Sequence, residues 1–104
     1  MKKVLVTTKL LKENEIRISK LWDTKLNKNN EIYSGNKIIE LSKDCDGILS
    51  SINDKIDKEI INNLSSKVKI ISNFAVGFGN IDIEAARKKN ILVTNTPEVL
   101  TDAT

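Results

Sequence analysis

Five short apolar runs recur along the chain, separated by stretches whose apolar residues return every three or four positions. The runs occupy residues 4–7, 31–33, 47–50, 68–72 and 91–94. In the first, third and fifth runs the apolar residues are consecutive rather than alternate, which is typical of strands covered on both faces. The pattern therefore predicts a parallel β-sheet with helices between its strands.

The stretches between the first four runs have helical periodicity. The residues predicted to share one face are Ile18, Leu21 and Trp22 in the first helix, Ile38 and Leu41 in the second, and Ile56, Ile60 and Leu64 in the third. Asp54 or Asp57 is well placed to cap the start of the third helix, because a short polar side chain can accept hydrogen bonds from free backbone amides there.

The fourth helix has the clearest end signals. Asn80 is placed to cap it, and Asp82 and Glu84 put negative charge in its first turn. Residues 87–89 are basic and complement the helix dipole at the other end. Asn90 follows as the expected left-handed terminator.

The alternation of strands and helices predicts an α/β fold. We expect a flavodoxin-like open parallel five-stranded sheet in the order 2-1-3-4-5, with right-handed crossovers and helices on both faces. A chain of 104 residues has room for one such domain.

Composition narrows the class of protein. The chain is 39% hydrophobic and 30% charged, which fits an ordinary globular protein rather than a disordered one. Its net charge of +3 is scattered, which argues against nucleic-acid binding, and no apolar run approaches membrane-spanning length. We expect a cytoplasmic protein. Cys45, the only cysteine, is predicted to be a buried structural residue.

Two segments fall where ligands bind in open α/β sheets, beyond the carboxyl ends of the strands. One closes the third strand at Ser50, and the other is residues 73–79 after the fourth. Gly77 and Gly79 allow close approach to the backbone there, and the amides of Val76 and Gly77 could bind a carboxylate or phosphate near a helix start. A tight strand-to-helix turn that holds no ligand explains the same residues.

Two longer motifs favour the interpretation that these residues bind a ligand over that of a turn without one. Residues 72–82 read SNFAVGFGNID, and residues 93–104 read VTNTPEVLTDAT. Together they resemble the D-isomer-specific 2-hydroxyacid dehydrogenase family, in particular its glyoxylate/hydroxypyruvate reductase branch. The chain resembles only the N-terminal part of that family's substrate (catalytic) domain. Gly79 stands where the family more often has Asp or Asn, and all three residues tolerate the left-handed backbone region.

The resemblance implies roles for individual residues. The amides of Val76 and Gly77 would hold the carboxylate of a small 2-oxo or 2-hydroxy acid, and Ser50 would be a second substrate contact. Thr104 would reach an NAD or NADP cofactor. Residues 1–96 would belong to the substrate domain, and residues 97–104 would begin the hinge toward a nucleotide-binding domain. The resemblance also implies a homodimeric parent enzyme.

The residues that such an enzyme needs for turnover are missing from this sequence. The chain has no histidine to supply a proton, and Arg17 and Arg87, its only arginines, do not match the family's substrate-binding arginine. It has no Gly-x-Gly-x-x-Gly turn for a pyrophosphate and no candidate acid–base pair. We therefore assign no catalytic and no metal-binding residue, and we expect the chain alone to be inactive.

A different class of function stays open. A stand-alone flavodoxin-like module could bind a small organic acid or a protein partner without catalysis. A receiver-type regulatory domain is disfavoured, because it needs acidic residues at the end of strand one and an aspartate ending strand three. Here those ends carry residues 7–9, Thr-Thr-Lys, and residues 50–51, Ser-Ser.

Overall fold

A computed structural model describes residues 2–8, 12–27, 31, 33–51, 54–74 and 80–95. The elements, in chain order, are β1 (Lys3–Val6), α1 (Lys12–Leu21), β2 (Asp23–Lys25), α2 (Gly35–Leu41), β3 (Gly47–Ser51), α3 (Lys58–Asn63), β4 (Ile70–Phe74), α4 (Ile83–Lys88) and β5 (Leu92–Asn95). All strand pairs are parallel and the order is β2-β1-β3-β4-β5. The predicted α/β fold and strand order are confirmed.

The second strand lies earlier in the sequence than predicted. Residues 23–25 pair with β1, beginning at Lys3 opposite Asp23, whereas residues 31 and 33 lie outside the strands. An edge strand of this kind needs only one backbone ladder and little apolar sequence, so its polar residues gave no strand signal. Tyr33 instead packs half-buried against the main core.

Most of the apolar core lies on one face of the sheet. Leu5, Ile48 and Ile71 point to that face from the three central strands, and all are buried. The helices α2, α3 and α4 cover them, with Ile38 and Ile61 among the contacts. Cys45 is buried in the same cluster, as predicted, and burial raises the pKa of its thiol.

The opposite face is covered less completely. Ile18 of α1 packs against Val6 and Leu49 in a small second cluster. Leu21 is 66% exposed, so the apolar face predicted for α1 is only partly buried. Leu92 is 60% exposed, so the prediction that β5 is covered on both faces is wrong. Among the described residues, α1 is the only helix that packs in this second cluster, and an apolar groove remains beside it.

The helix ends follow the capping rules, with one change from the prediction. Asp57 caps α3 by accepting a hydrogen bond from the Ile60 amide at 3.1 Å. Asp82, not Asn80, caps α4, with its carboxylate 3.0 Å from the Ala85 amide. Asn90 has a φ of 61° and ends α4 in the left-handed region, as predicted.

No helix within the described parts of the chain is long and apolar enough to cross a membrane.

Candidate functional site

Buried polar side chains collect where β1, β3 and β4 end. We call them the carboxyl-edge cluster: Thr7, Ser50, Ser51, Asp54, Asn73 and Asn80. Five are buried and Asn80 is half-buried. The register of the parallel strands explains the grouping, because it sets Val6 beside Leu49 and Ser50 beside Asn73. This is the edge at which open α/β sheets bind ligands.

Asp54 organises the β1 side of the cluster. Its Oδ2 accepts hydrogen bonds from the Ser51 amide at 2.9 Å, from the Ser51 hydroxyl at 3.3 Å and from the Thr7 hydroxyl. The Asp54 amide in turn donates to the Ser51 carbonyl at 3.0 Å. Several donors to one carboxylate compensate the cost of burying its charge.

Two asparagines organise the β4 side. The side-chain Nδ2 of Asn73 donates to Asn80 Oδ1 at 2.8 Å. Asn80 Nδ2 donates to the carbonyls of Ser51 at 2.9 Å and Asp54 at 2.8 Å. The Ser50 hydroxyl donates to Asn73 Oδ1 at 3.2 Å. The two halves of the cluster therefore form one continuous network.

The backbone around Asn80 is held independently of its side chain. The Ile56 amide donates to the Asn80 carbonyl at 2.8 Å, and the Asp82 amide donates to the Ile56 carbonyl at 3.0 Å. Ile56 and Ile81 form an isolated parallel bridge, and both are buried. The residues just before α4 are thus tied to the segment just before α3.

The structure describes one of the four predicted site residues. Ser50 lies at the carboxyl end of β3, as predicted, with its side chain wholly buried against Asn73. Val76, Gly77 and Thr104 lie outside the described residues. Asn73 and Asn80 flank the segment 75–79 that contains Val76 and Gly77.

Sequence reasoning missed the roles of Thr7, Asp54, Asn73 and Asn80 in this network. The available signal was positional, since Thr7 and Asn73 are polar residues at the ends of apolar runs. The sequence instead predicts Asn80 to be a helix cap, because asparagine is as strongly favoured at that position as the nearby Asp82.

The first turns of α3 and α4 do not suit a bound phosphate. Asp57 and Asp82 use their own carboxylates to cap α3 and α4, which places negative charge where a phosphate would bind. Within the described residues no group of three metal-ligating side chains is close enough to hold a metal ion. The starts of α3 and α4 therefore do not suit a dinucleotide pyrophosphate.

The amino edge of the sheet has a different character. Asp44 forms ion pairs with Lys25 at 2.6 Å and with Lys3 at 2.9 Å, all on the surface. The hydrogen bonds from Lys25 and then Lys3 hold the pKa of the Asp44 carboxyl well below its usual range. The same contact with Asp44 raises the pKa of Lys3.

Comparison with known proteins identifies the family of this chain. Residues 4–104 match the sequence model of the D-isomer specific 2-hydroxyacid dehydrogenase catalytic domain. The chain is therefore a member of the D-isomer specific 2-hydroxyacid dehydrogenase family, and its open parallel sheet lies within the region that matches the catalytic domain.

Individual relatives agree with this assignment. A glyoxylate reductase of Thermococcus litoralis is 42% identical over 105 residues, covering 100% of this chain and 31% of the relative. A crystal structure of a Pyrococcus horikoshii OT3 protein matches with a TM-score of 0.80 and 32% identity, over 92% of this chain and 28% of that one. The NAD+-bound 3-phosphoglycerate dehydrogenase of Entamoeba histolytica matches with a TM-score of 0.75 and 32% identity, over 91% of this chain and 32% of that one. The chain spans less than a third of each of these relatives.

Proposed function

We propose that this chain is the N-terminal part of the substrate-binding lobe of an NAD(P)-dependent reductase. Its substrates would be small 2-oxo acids such as glyoxylate or hydroxypyruvate, reduced to D-2-hydroxy acids. The observation that carries the proposal is the carboxyl-edge cluster, which ties together both flanks of the segment 75–79 at the ligand-binding edge of the sheet. Similarity to enzymes named glyoxylate reductase supports this choice of substrate.

The proposed substrate contacts are main-chain donors. The amides of Val76 and Gly77 would bind the substrate carboxylate, each by a charge-assisted hydrogen bond of about 1.5–3 kcal/mol. Two such bonds correspond to a dissociation constant on the order of 1 mM for the chain alone. Ser50 is the third proposed substrate-side residue, and its hydroxyl reaches the flank of this segment through Asn73.

The cofactor would bind mainly outside this chain. A nicotinamide cofactor supplies the hydride in such a reaction, and Thr104 is the one residue proposed to contact it here. The capped starts of α3 and α4 do not fit its phosphates. The boundary between the substrate domain (1–96) and the hinge (97–104) belongs to the same proposal, as does a cytoplasmic homodimer for the whole enzyme.

The chain alone is predicted to be inactive. It has no histidine to protonate the substrate oxygen, and neither Arg17 nor Arg87 lies in the carboxyl-edge cluster. Incubation of the isolated chain with NADH and glyoxylate should therefore give no turnover. A rate within a hundredfold of a typical enzyme, about 10 per second, would contradict this.

A chimera tests the positive half of the proposal. The aligned 105 residues of the Thermococcus litoralis glyoxylate reductase would be replaced by this chain, and NADH and NADPH oxidation followed with glyoxylate, hydroxypyruvate and pyruvate. We expect turnover with glyoxylate or hydroxypyruvate. A chimera that folds and binds nucleotide but reduces none of these acids would contradict the substrate assignment and favour a non-catalytic binding module.

A further inference from the structure

An apolar groove lies beside α1 on the less covered face of the sheet. We call it the α1-side groove, and its volume is about 360 Å³. The apolar side chains that line it come from α1 and the residue after it, and from β1, β3 and β4: Val4, Ile18, Leu21, Trp22, Leu49 and Ile70. Leu21 is 66% exposed and Trp22 is 38% exposed, so much of this apolar surface faces water. Contiguous exposed apolar surface of this kind is typical of an interaction site.

The uncovered part of this face has the width of one helix. α1 packs against Val6 of β1 and Leu49 of β3. A neighbouring helix would lie about 8–10 Å from α1, which equals two strand spacings of about 4.8 Å. That position is over β4 and β5, where Ile70 is paired with Leu92 and Leu92 is 60% exposed. Because a parallel sheet normally carries helices on both faces, one further helix would complete the covering of this one.

The charge around the α1-side groove is positive. Its described lining residues include three cations and one carboxylate: Lys2, Arg17, Lys69 and Asp46. The pKa of the Asp46 carboxyl is lowered, first by the hydrogen bond from the Lys3 amide and further by the charge of Lys67. A second copy of this face would therefore bring like charges together, whereas a partner that carries carboxylates would be attracted.

We propose that the α1-side groove is a docking site for an acidic amphipathic helix of a partner polypeptide. The apolar stripe of that helix packs on Leu21, Trp22 and Ile70, and carboxylates beside the stripe lie near Lys2 and Lys69. A concave groove suits a rod-shaped helix better than a flat lipid surface. The inference depends on the fold and not on the proposed reaction, so either can fail without the other.

Trp22 provides the readout, because it is the only tryptophan of the chain and lines the groove. The full 104-residue chain is titrated with two synthetic amphipathic peptides. Each peptide has roughly 18 residues, or about five helical turns, and contains no tryptophan. Both carry the same leucine stripe, with glutamates on the polar face of one and lysines on that of the other. We expect the glutamate peptide to shift the Trp22 emission to shorter wavelength and to bind about tenfold more tightly than the lysine peptide.

One pair of variants tests the apolar surface. Leu21→Ser removes an exposed apolar side chain from the groove and should weaken binding of the glutamate peptide about tenfold. Ile16→Ser is the matched control, because Ile16 is on the same helix and 51% exposed but is not among the residues that line the groove. Its dissociation constant should change less than about twofold. Circular dichroism confirms that both variants are folded.

A second pair tests the charge. Lys2→Glu combined with Lys69→Glu reverses two exposed charges of the groove and should weaken binding of the glutamate peptide about tenfold. Lys37→Glu combined with Lys58→Glu makes the same change in net charge at exposed positions of α2 and α3 and should leave binding unchanged. This pair decides the question even if Leu21→Ser fails to fold.

Four results would overturn the proposal. The first is an unchanged Trp22 emission at about 1 mM glutamate peptide. The second is equal binding of the two peptides, or equal loss of binding in a variant and its control. The third is a chain that sediments as a dimer with Trp22 already shielded from acrylamide, which would show that a second copy occupies the groove. The fourth is a Trp22 response to phosphatidylglycerol vesicles but not to the glutamate peptide, which would assign the groove to a lipid surface.

Discussion

The two edges of the sheet both carry polar networks, but they differ in charge and burial. At the amino edge, Lys3, Lys25 and Asp44 form ion pairs on the surface. At the carboxyl edge, hydroxyls, carboxamides and one carboxylate share hydrogen bonds inside the protein. Water can replace most of what the amino edge gains, whereas it has no access to most of the carboxyl edge.

The amino-edge network lies on the surface and constrains the fold little. The carboxyl-edge network is buried and fixes the geometry of the residues that form it. Exposed ion pairs tolerate several side-chain arrangements and are screened by salt. Buried donors and acceptors must each find a partner, so the carboxyl-edge network permits few alternatives. The carboxyl-edge network therefore fixes the relation between the ends of β1, β3 and β4, and four predictions test its contrast with the amino edge.

The largest effect is expected for Asp54→Ala. The change leaves the buried Ser51 amide and the Thr7 hydroxyl without their shared acceptor, which should lower the free energy of unfolding by about 3 kcal/mol. Urea unfolding followed by circular dichroism measures it. The matched variant is Asp44→Ala at the amino edge, and an equal or larger loss for that variant would remove the contrast between the edges.

A smaller loss is expected for Thr7→Val, which keeps the shape of a buried side chain but removes its hydroxyl. Asp54 then keeps its two bonds from Ser51, so we expect a loss of about 1 kcal/mol in the same assay. Thr7→Ser retains the hydroxyl and should recover part of the loss. A Thr7→Val protein as stable as the unaltered chain would show that Asp54 does not need this donor.

Salt should distinguish the edges further. Asp44→Asn should shift the urea midpoint less than either carboxyl-edge variant, and the shift should shrink as sodium chloride rises from low to high concentration. The shift caused by Thr7→Val should stay constant over the same range, because its bond is buried. A Thr7→Val effect that falls with salt as the Asp44→Asn effect does would contradict this.

The smallest effect concerns pH and the amino edge. The pKa of Asp44 is lower in the folded chain, first through Lys25 and then through Lys3, so its stabilising contribution is present above the unfolded pKa of about 3.9. That contribution is lost as the pH falls from about 4 through the lower folded pKa. The stability difference between the unaltered chain and Asp44→Asn should therefore be constant near neutral pH and vanish in acid. A stability difference that grows as the pH falls would contradict this expectation.

Most of the fold could be predicted from apolar patterning. Consecutive apolar residues in β1 and β3 indicate a parallel sheet, and the alternation of strands and helices indicates a doubly wound fold. The flavodoxin-like strand order expected for such a fold is confirmed. The edge strand β2 was misplaced, because one-sided pairing of residues 23–25 needs no apolar run. The exposure of Leu21 was also not predictable, since helical periodicity identifies an apolar face but not what covers it.

The candidate site was harder to predict than the fold. The sequence predicts the place of Ser50 at the end of β3, and its contact with substrate stays a prediction. The pairing of Asn73 with Asn80 depends on how β4 and α4 meet, and no spacing rule in the sequence encodes that contact. For Asp54 the sequence predicts only a helix cap, because capping depends on neighbouring residues, whereas its hydrogen bond with Thr7 depends on the fold.

The most direct test of the carboxyl edge as the binding edge is a map of glyoxylate-induced amide shifts in the unaltered 104-residue chain. The account predicts that the largest shifts fall on Val76 and Gly77 and that the amides of Lys3, Asp23 and Asp44 stay in place. Shifts concentrated at those amino-edge residues, or none anywhere at millimolar glyoxylate, would contradict it.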